Sequence, residues 1–265
     1  MAATKESRLK AKQKLEEIMA YYRSDKGQQT FNAIIAGDMG TGKTTILRTA
    51  RKPVLVHSFD PGGTKVLRPE IEKGLIIPDT RFEAEDPKNP TAFRLWEQEF
   101  KQLRESGVFE EIGTFAIDSI TTFADALMNE ILRKAGRSNG VPYQQDYLVQ
   151  INVLRDYMKI LTTLPCDVIL TAHLDPLKDE LTGKVAMQIM VTGKLRVKIP
   201  LLFDEIYVAT TKRTSKGVEY VLLTRNDGYY QARTRIGRDV FETYEKPDIE
   251  YLLKKAGMWK EGDKA

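Results

Sequence analysis

Short apolar runs alternate with longer amphipathic stretches through the first two thirds of the chain. The runs at 31–36, 53–59, 112–119 and 166–172 carry residues of high strand propensity and close on polar or turn residues, which predicts buried strands. Between them, apolar residues recur at intervals of three and four. Pro90 opens a helix in which Phe93, Trp96, Phe100 and Leu103 form a core-facing stripe, and a second helix is predicted over 122–134. Tyr147, Ile151, Leu154, Met158 and Leu161 mark the buried side of a third. A short strand is predicted at 74–77, and the aperiodic stretch 135–146 reads as a loop. This alternation predicts an α/β fold with a mostly parallel central sheet flanked by helices.

The pattern changes beyond residue 173. Residues 174–192 read as a mobile hairpin, with Leu177-Lys178-Asp179 and Lys184-Val185-Ala186 flanking a Thr182-Gly183 turn. Stretches 205–211, 218–223 and 229–234 read as successive strands around Lys216-Gly217 and Asn226-Asp227-Gly228, which predicts antiparallel strands toward the C-terminus. A short helix over 248–256 closes the chain. At the other end, 6–23 reads as a helix with Leu15, Ile18, Met19 and Tyr22 on one side and lysines elsewhere. That helix could dock on a neighbouring subunit or pack on its own domain. The resulting division is an N-terminal arm (1–26), a core (27–240) and a C-terminal helix and tail (241–265).

Composition narrows the chemistry. Of 265 residues, 42% are hydrophobic and 29% charged, an ordinary globular balance, and no apolar run approaches the roughly 18 residues of a membrane span. Cys166 is the sole cysteine and His57 and His173 the sole histidines, which excludes an intrachain disulfide, a cysteine-based zinc cluster and a His-rich metal site. The N-terminus lacks the apolar core of a secretion signal, so a cytoplasmic location is expected. The net charge of +4 is unevenly spread: residues 191–238 hold ten Lys or Arg against four acids. Such a region is either a footprint for nucleic acid, a solvated face, or a basic subunit interface.

The most specific motif is Gly37-Asp38-Met39-Gly40-Thr41-Gly42-Lys43-Thr44, which fits G-x-x-x-x-G-K-[ST]. It lies between an apolar strand and a stretch, 43–48, that reads as the opening of a helix. The glycines let backbone N–H groups turn inward around phosphates, Lys43 would reach the β- and γ-phosphates, and Thr44, followed by Thr45, would place its hydroxyl on Mg²⁺. The context predicts a nucleotide site. Downstream, Ile117-Asp118-Ser119 ends an apolar strand as a Walker B segment does. Asp118 would hold the metal through water, or it could cap the next helix, a task Ser119 or Thr121 could equally perform. Asp60 ends the second strand inside an Asp-Pro-Gly-Gly turn, either as a catalytic acid or simply as a turn former. His173 ends the strand after Asp118, either as a γ-phosphate sensor or as a strand cap.

In that order the motifs resemble RecA-type recombinases: GDMGTGKTT at 37–45, an acid-ended strand at 54–60, IDS at 117–119, a loop at 135–146 and ILTAH at 169–173. A second loop follows, and then TGKLRVKIPLLFDEIYVATTKR at 192–213. Over roughly residues 30–240 the chain is more closely similar to short phage-encoded RecA-core proteins of the nucleotide-binding or single-strand annealing type. The resemblance implies a RecA-like P-loop NTPase core that binds ATP and Mg²⁺ and hydrolyses ATP, with Asp60 aligning water and His173 as sensor. RecA has glutamate and glutamine at those two places, which puts the hydrolysis rate in doubt.

It also implies a homo-oligomer, ring or filament, with Lys212, Arg213, Arg233 and Arg235 as candidates to act across the interface. Single-stranded DNA would be held by Lys134 and Arg137 at the first loop and Lys178, Lys184, Lys194 and Arg196 at the second, with a single-stranded DNA-binding protein as a further partner. The implied function is ATP-dependent DNA annealing or strand exchange, in the host cytoplasm and away from the membrane. A helicase-type motor or a P-loop phosphotransferase on the same core are the alternatives.

Overall fold

The computed structural model describes residues 5–24, 30–180, 182–215, 217–237, 239–260 and 262–263. Helix α1 (Lys5–Ser24) comes first and has no buried residue. Strands β1 (Asn32–Gly37), β2 (Val54–Ser58), β3 (Ile76–Asp79), β4 (Thr114–Asp118) and β5 (Asp167–Ala172) are interleaved with helices α2 (Arg68–Glu72), α3 (Ala92–Glu105), α4 (Val108–Glu111), α5 (Ile120–Lys134) and α6 (Gln144–Leu161). After β5 come the hairpin β6 (Leu174–Lys178) and β7 (Val185–Ile189), helix α7 (Leu195–Leu202), the hairpin β8 (Glu205–Thr214) and β9 (Gly217–Leu223), strand β10 (Tyr244–Glu245) and helix α8 (Ile249–Lys255).

Among the described residues one eight-stranded sheet has the order β10-β9-β8-β1-β5-β4-β2-β3. It is parallel from β3 to β8, and β9 and β10 are added antiparallel. The α/β prediction therefore holds, antiparallel C-terminal strands included.

Because side chains alternate along a strand, each inner strand feeds two cores. Ile34, Phe115, Ile117, Val168 and Leu170 point to one face, where α3, α5, α6 and α7 pack on them. The aromatic stripe of α3 lies here as expected, with Trp96 stacked on Phe100 at 5.0 Å and edge-on to Phe123 at 4.5 Å; Leu103 is only partly buried. Ile35, Val54, Val56, Ala116 and Ile169 point to the other face, covered by Ile46, Leu47 and the apolar side of α8. The C-terminal helix is thus part of the core packing.

Four local expectations are corrected. The helix expected from Lys43 is a 3-10 turn, Thr45–Thr49, which ends because Lys52 Nζ donates to the carbonyls of Leu47, Arg48 and Ala50 at 3.2, 2.8 and 2.9 Å. Helix α6 starts earlier than its apolar pattern suggests, since Tyr143 caps it and its backbone N–H donates to Asp146 at 2.6 Å. Its buried side includes Asp146 and Gln150, whose amide donates to the Ala124 carbonyl at 2.7 Å, whereas Tyr147 is exposed. Finally, 229–234 forms isolated bridges at Tyr230 and Arg233 in place of a strand, and β10 takes the position beside β9. Asp227 accepts from the N–H groups of both Tyr229 and Tyr230, which turns the backbone away from a ladder.

At the edge of the sheet where β1 and β5 begin, Arg51 is bidentate on buried Asp167 at 2.7 Å, donates to Asp263 at 2.8 Å and reaches the Met258 carbonyl. Burial pushes the Asp167 carboxyl up to about 6, and Arg51 only partly offsets this. A carboxyl whose pKa is raised by folding costs stability once it ionises, and removing its partner enlarges that cost. Arg51→Met is expected to lose about 3 kcal/mol at pH 7 in urea unfolding, with the deficit shrinking as pH falls toward 6, where Asp167 becomes protonated in wild type as well.

Candidate functional site

The phosphate loop leaves the end of β1 at Gly37, whose backbone is pressed against β8. A Cβ there would lie 2.5 Å from the Ala209 carbonyl oxygen and 2.6 Å from Thr41 Oγ1, so the motif's first glycine is required sterically. Gly40 and Gly42 have φ of +75° and +89°, the left-handed region that L side chains avoid. Asp38 and Met39 are exposed at the loop tip, and Thr41 Oγ1 donates to the Asp38 carbonyl at 2.8 Å. Lys43 is buried, its ammonium donating to the carbonyls of Gly37 and Asp38 at 2.8 and 2.7 Å. Desolvation lowers its pKa, against the pull of Asp118, Asp60 and Asp38.

Three strand ends converge on this loop because β5 lies between β1 and β4. Thr44 Oγ1 donates to Asp118 Oδ2 at 2.9 Å, and Thr171 on β5 donates to Asp118 Oδ1. Burial raises the Asp118 carboxyl above its ordinary value, and nearby Asp60 adds to the rise. Ser119, not Asp118, is the N-cap of α5, which removes the capping explanation for the aspartate. Gly63 packs beside it: a Cβ would lie 3.3 Å from Asp118 Oδ2.

Asp60 has the opposite environment. Burial would raise its pKa, but hydrogen bonds from His173, Thr122 and Ser119 outweigh it and hold the carboxyl below the usual range. His173 Nε2 lies 3.1 Å from Asp60 Oδ2, and Ser119 Oγ lies 3.0 Å from Oδ1, which also accepts from Thr122. The Asp60 turn is braced from below by Glu83, which accepts from Ser58 Oγ at 2.7 Å and from the Gly62 N–H at 2.9 Å. His173 is fixed at both backbone groups: its N–H donates to Thr121 Oγ1 at 3.1 Å, and its carbonyl accepts from Met190 at 2.8 Å.

Between these groups lies a cleft of about 220 Å³, lined by the loop from Met39 to Thr45 together with Asp60, Gly63 and His173. Lys43, Thr44, Asp60 and His173 are therefore gathered around one opening, with buried Asp118 directly behind Thr44. Thr171, Thr122 and Glu83 were not singled out from the sequence. Thr171 leaves a faint signal as a hydroxyl inside the apolar run before His173, whereas Glu83 leaves none.

The basic candidates are scattered. Lys178 and Lys184 are exposed on the β6–β7 hairpin, Lys194 is exposed before α7, and Arg196 is bonded to the Gly193 carbonyl at 3.1 Å. Lys134 sits 3.6 Å from Glu130. Arg137 is engaged within its own chain: one guanidinium nitrogen donates to both Asp146 carboxylate oxygens at 2.8 Å, and the group lies 4.2 Å over the Tyr143 ring, so it braces the loop. Arg233 and Arg235 are likewise engaged within the chain. They lie beside the start of β8, toward the end of the strands away from the phosphate loop, donating to the carbonyls of Pro200 and Phe203 and of Leu201 respectively.

Lys212 and Arg213 sit on β8 where it outruns β1, on the hairpin whose Tyr220 would meet a Cβ on Gly42 at 3.9 Å. Lys212 lies 3.1 Å over the Tyr244 ring, and Arg213 is exposed. No helix among the described residues is long and apolar enough to cross a membrane.

The structure is similar to a KaiC-like protein from Pyrococcus horikoshii, at TM-score 0.46 and 13% identity over 78% of this chain and 81% of that one. It is also similar to the flagellar accessory protein FlaH of Methanocaldococcus jannaschii, at TM-score 0.43 and 14% identity over 81% and 83%. No curated protein matches the sequence. A family model described as an AAA domain matches residues 30–236, which begin just before β1 and take in every side chain around the cleft. With that match spanning most of its length, the chain belongs to the AAA-domain family of P-loop NTPases.

Proposed function

We propose that the protein is a Mg²⁺-dependent ATP hydrolase whose nucleotide state is coupled to single-stranded DNA on its basic surface. The observation that carries this reading is the double attachment of His173, with its ring on Asp60 in the cleft and its carbonyl on the β6–β7 hairpin. A change in what the ring contacts is thereby transmitted to the segment bearing Lys178 and Lys184.

The donor set suits the expected cation. Thr44 Oγ1 and Asp118 Oδ2 are hard oxygen donors 2.9 Å apart at the phosphate loop, and a Mg²⁺ ion held mainly by phosphates and water needs no more from the protein. Among the described residues no three His, Cys, Asp or Glu side chains cluster as a larger cage. When bound, the ion would neutralise charge on the β- and γ-phosphates. Lys43 and the loop N–H groups would bind the phosphate chain. Asp60, kept ionised by its three donors, would accept a hydrogen bond from the attacking water and align it, while His173 would contact the γ-phosphate.

Lys178, Lys184, Lys194, Arg196 and Lys134 would hold DNA phosphates with little sequence preference. Arg213 and Lys212, on the hairpin beside the loop, are the better placed of the four candidates to act on a neighbouring copy's nucleotide in a ring or filament. The similarity to phage RecA-core proteins supports annealing or strand exchange in the cytoplasm, with a single-stranded DNA-binding protein as a further partner.

The test is ATP turnover with and without single-stranded DNA. The wild-type chain is expected to bind DNA when ATP is present and to turn over faster on it, while Lys43→Ala loses at least ~100-fold of the hydrolysis. Turnover with neither stimulation nor binding would remove the DNA half of the proposal, and transfer of γ-phosphate to a small acceptor would replace it with a phosphotransferase. Asp60→Asn is expected to lower kcat by ~10²–10⁴ with nucleotide affinity little changed. Since the Asp60 pKa is depressed, its ionised form persists on acidification, and wild-type activity should show no limb from this group in the ordinary carboxylate range. Thr171→Val deprives the Asp118 carboxylate of one donor and should weaken Mg²⁺-dependent ATP binding by about tenfold in titration calorimetry, leaving Mg²⁺-free binding unchanged.

A further inference from the structure

The chain has two histidines, and only one of them reaches the cleft. His57 is fully buried, edge-on to Phe82 at 5.1 Å and to Phe115 at 4.8 Å, and burial pushes its pKa down to about 3. The His173 side chain is 29% exposed and lines the nucleotide cleft. Its Nε2 lies 3.1 Å from Asp60 Oδ2, whereas Nδ1 has no hydrogen-bond partner among the described residues.

An ionised carboxylate can accept a hydrogen bond but has no proton to donate. Asp60 is held ionised, so the proton it shares with the ring sits on Nε2, and the neutral imidazole keeps its free lone pair on Nδ1. Asp60 itself is nearly saturated. Of the roughly four lone-pair sites of a carboxylate, three take Ser119, Thr122 and His173. The remaining site can align a water, but a carboxyl held below the usual range is a weak proton acceptor. The ring is the better base, and it is built to act as one. Its backbone N–H is fixed on Thr121 Oγ1 at 3.1 Å, and the Asp60 carboxylate behind it stabilises the imidazolium that forms when a proton arrives.

We infer that His173 Nδ1 is the general base of ATP hydrolysis and that Asp60 positions the ring for it. The water oxygen bonds to the γ-phosphorus as the bond from that phosphorus to the bridging oxygen breaks. The bridging oxygen leaves on ADP with the electron pair, and one water proton passes to Nδ1 and from there returns to solvent. The inference rests on the hydrolysis part of the proposed function and is independent of DNA. It goes beyond a sensor role, which needs only a side chain that hydrogen-bonds and not an imidazole.

Three measurements on the full chain separate the two roles. Turnover is compared for wild type, His173→Gln and His173→Ala, with binding of a fluorescent ATP analogue measured alongside. Glutamine keeps a hydrogen-bonding group but cannot take the proton, so both variants should lose ~10²–10³ in kcat while still binding the analogue. Free imidazole should restore His173→Ala by about tenfold or more and leave His173→Gln and wild type unchanged. The third measurement needs no nucleotide: the ¹⁵N imidazole spectrum of wild type, assigned against His173→Gln, should show His173 protonated at Nε2 and bare at Nδ1.

A glutamine variant that turns over within a few-fold of wild type overturns the inference and leaves a sensor. Absence of imidazole rescue in an alanine variant that binds the analogue also overturns it, as does a ring whose proton sits on Nδ1. In each of these cases wild-type hydrolysis, and with it the proposed function, still stands. A wild type that binds no ATP analogue removes the nucleotide reading itself and the inference with it.

Discussion

The hydrogen bond from Thr44 to Asp118 joins two segments that are not neighbours in the sheet. Thr44 follows β1 and Asp118 ends β4, and β5 runs between them. The contact forms only because the parallel strands end at one level and Thr171 on the middle strand takes the other carboxylate oxygen. Everything else at the cleft is arranged around that bridged carboxylate. Gly63 stays without a side chain beside it, Ser119 turns away to cap α5, and the main-chain carbonyl of Asp118 accepts from the N–H groups of Phe59 and Asp60. The Asp60 turn is thus hung on the same residue.

Two aspartates at one opening are driven in opposite directions by their surroundings. Asp118 is raised by burial and by the charge of Asp60, whereas Asp60 is lowered by three side-chain donors that more than offset its own burial. One site therefore holds a carboxylate that welcomes a cation and another that stays ionised and directional. Lys43 completes the balance: desolvated and held on two loop carbonyls, it gains from any anion placed over the loop. The segment after the loop is only a 3-10 turn of five residues, so its dipole is small. What the loop offers an anion therefore comes mainly from Lys43 and the loop amides.

Charge elsewhere is divided between bracing and exposed roles. Arg51, Arg137, Arg233 and Arg235 are bound to carboxylates or carbonyls of their own chain and hold the tail, the 137–146 loop and the start of β8 in place. The lysines of the β6–β7 hairpin and Lys194 are exposed. Counting basic residues along 191–238 mixes these two populations, and only side-chain partners separate them. Arginine, with its planar fork of donors, fills these four positions, and Lys52 does the same for the turn after the phosphate loop.

Local signals sufficed for a good part of the molecule. The spacing of Gly37, Gly40, Gly42, Lys43 and Thr44 encodes a loop that only glycines permit, and apolar periods of two and of three to four residues encode strands and helices. These depend on covalent geometry and nearest neighbours, so the sequence by itself determined the α/β alternation, the loop and the acid-ended strands. It misplaced the start of α6 and the strand at 229–234, where backbone N–H groups donating to the side chains of Asp146 and Asp227 override the apolar pattern. It gave no role to Thr171, Thr122 or Glu83, whose partners lie 53, 62 and 25 residues away along the chain. Only the tertiary structure decided that Asp118 bridges two hydroxyls, that Arg137, Arg233 and Arg235 are internal braces, and that α1 buries no residue. Each of those outcomes depends on which surfaces the sheet order brings face to face, and no short-range pattern records that.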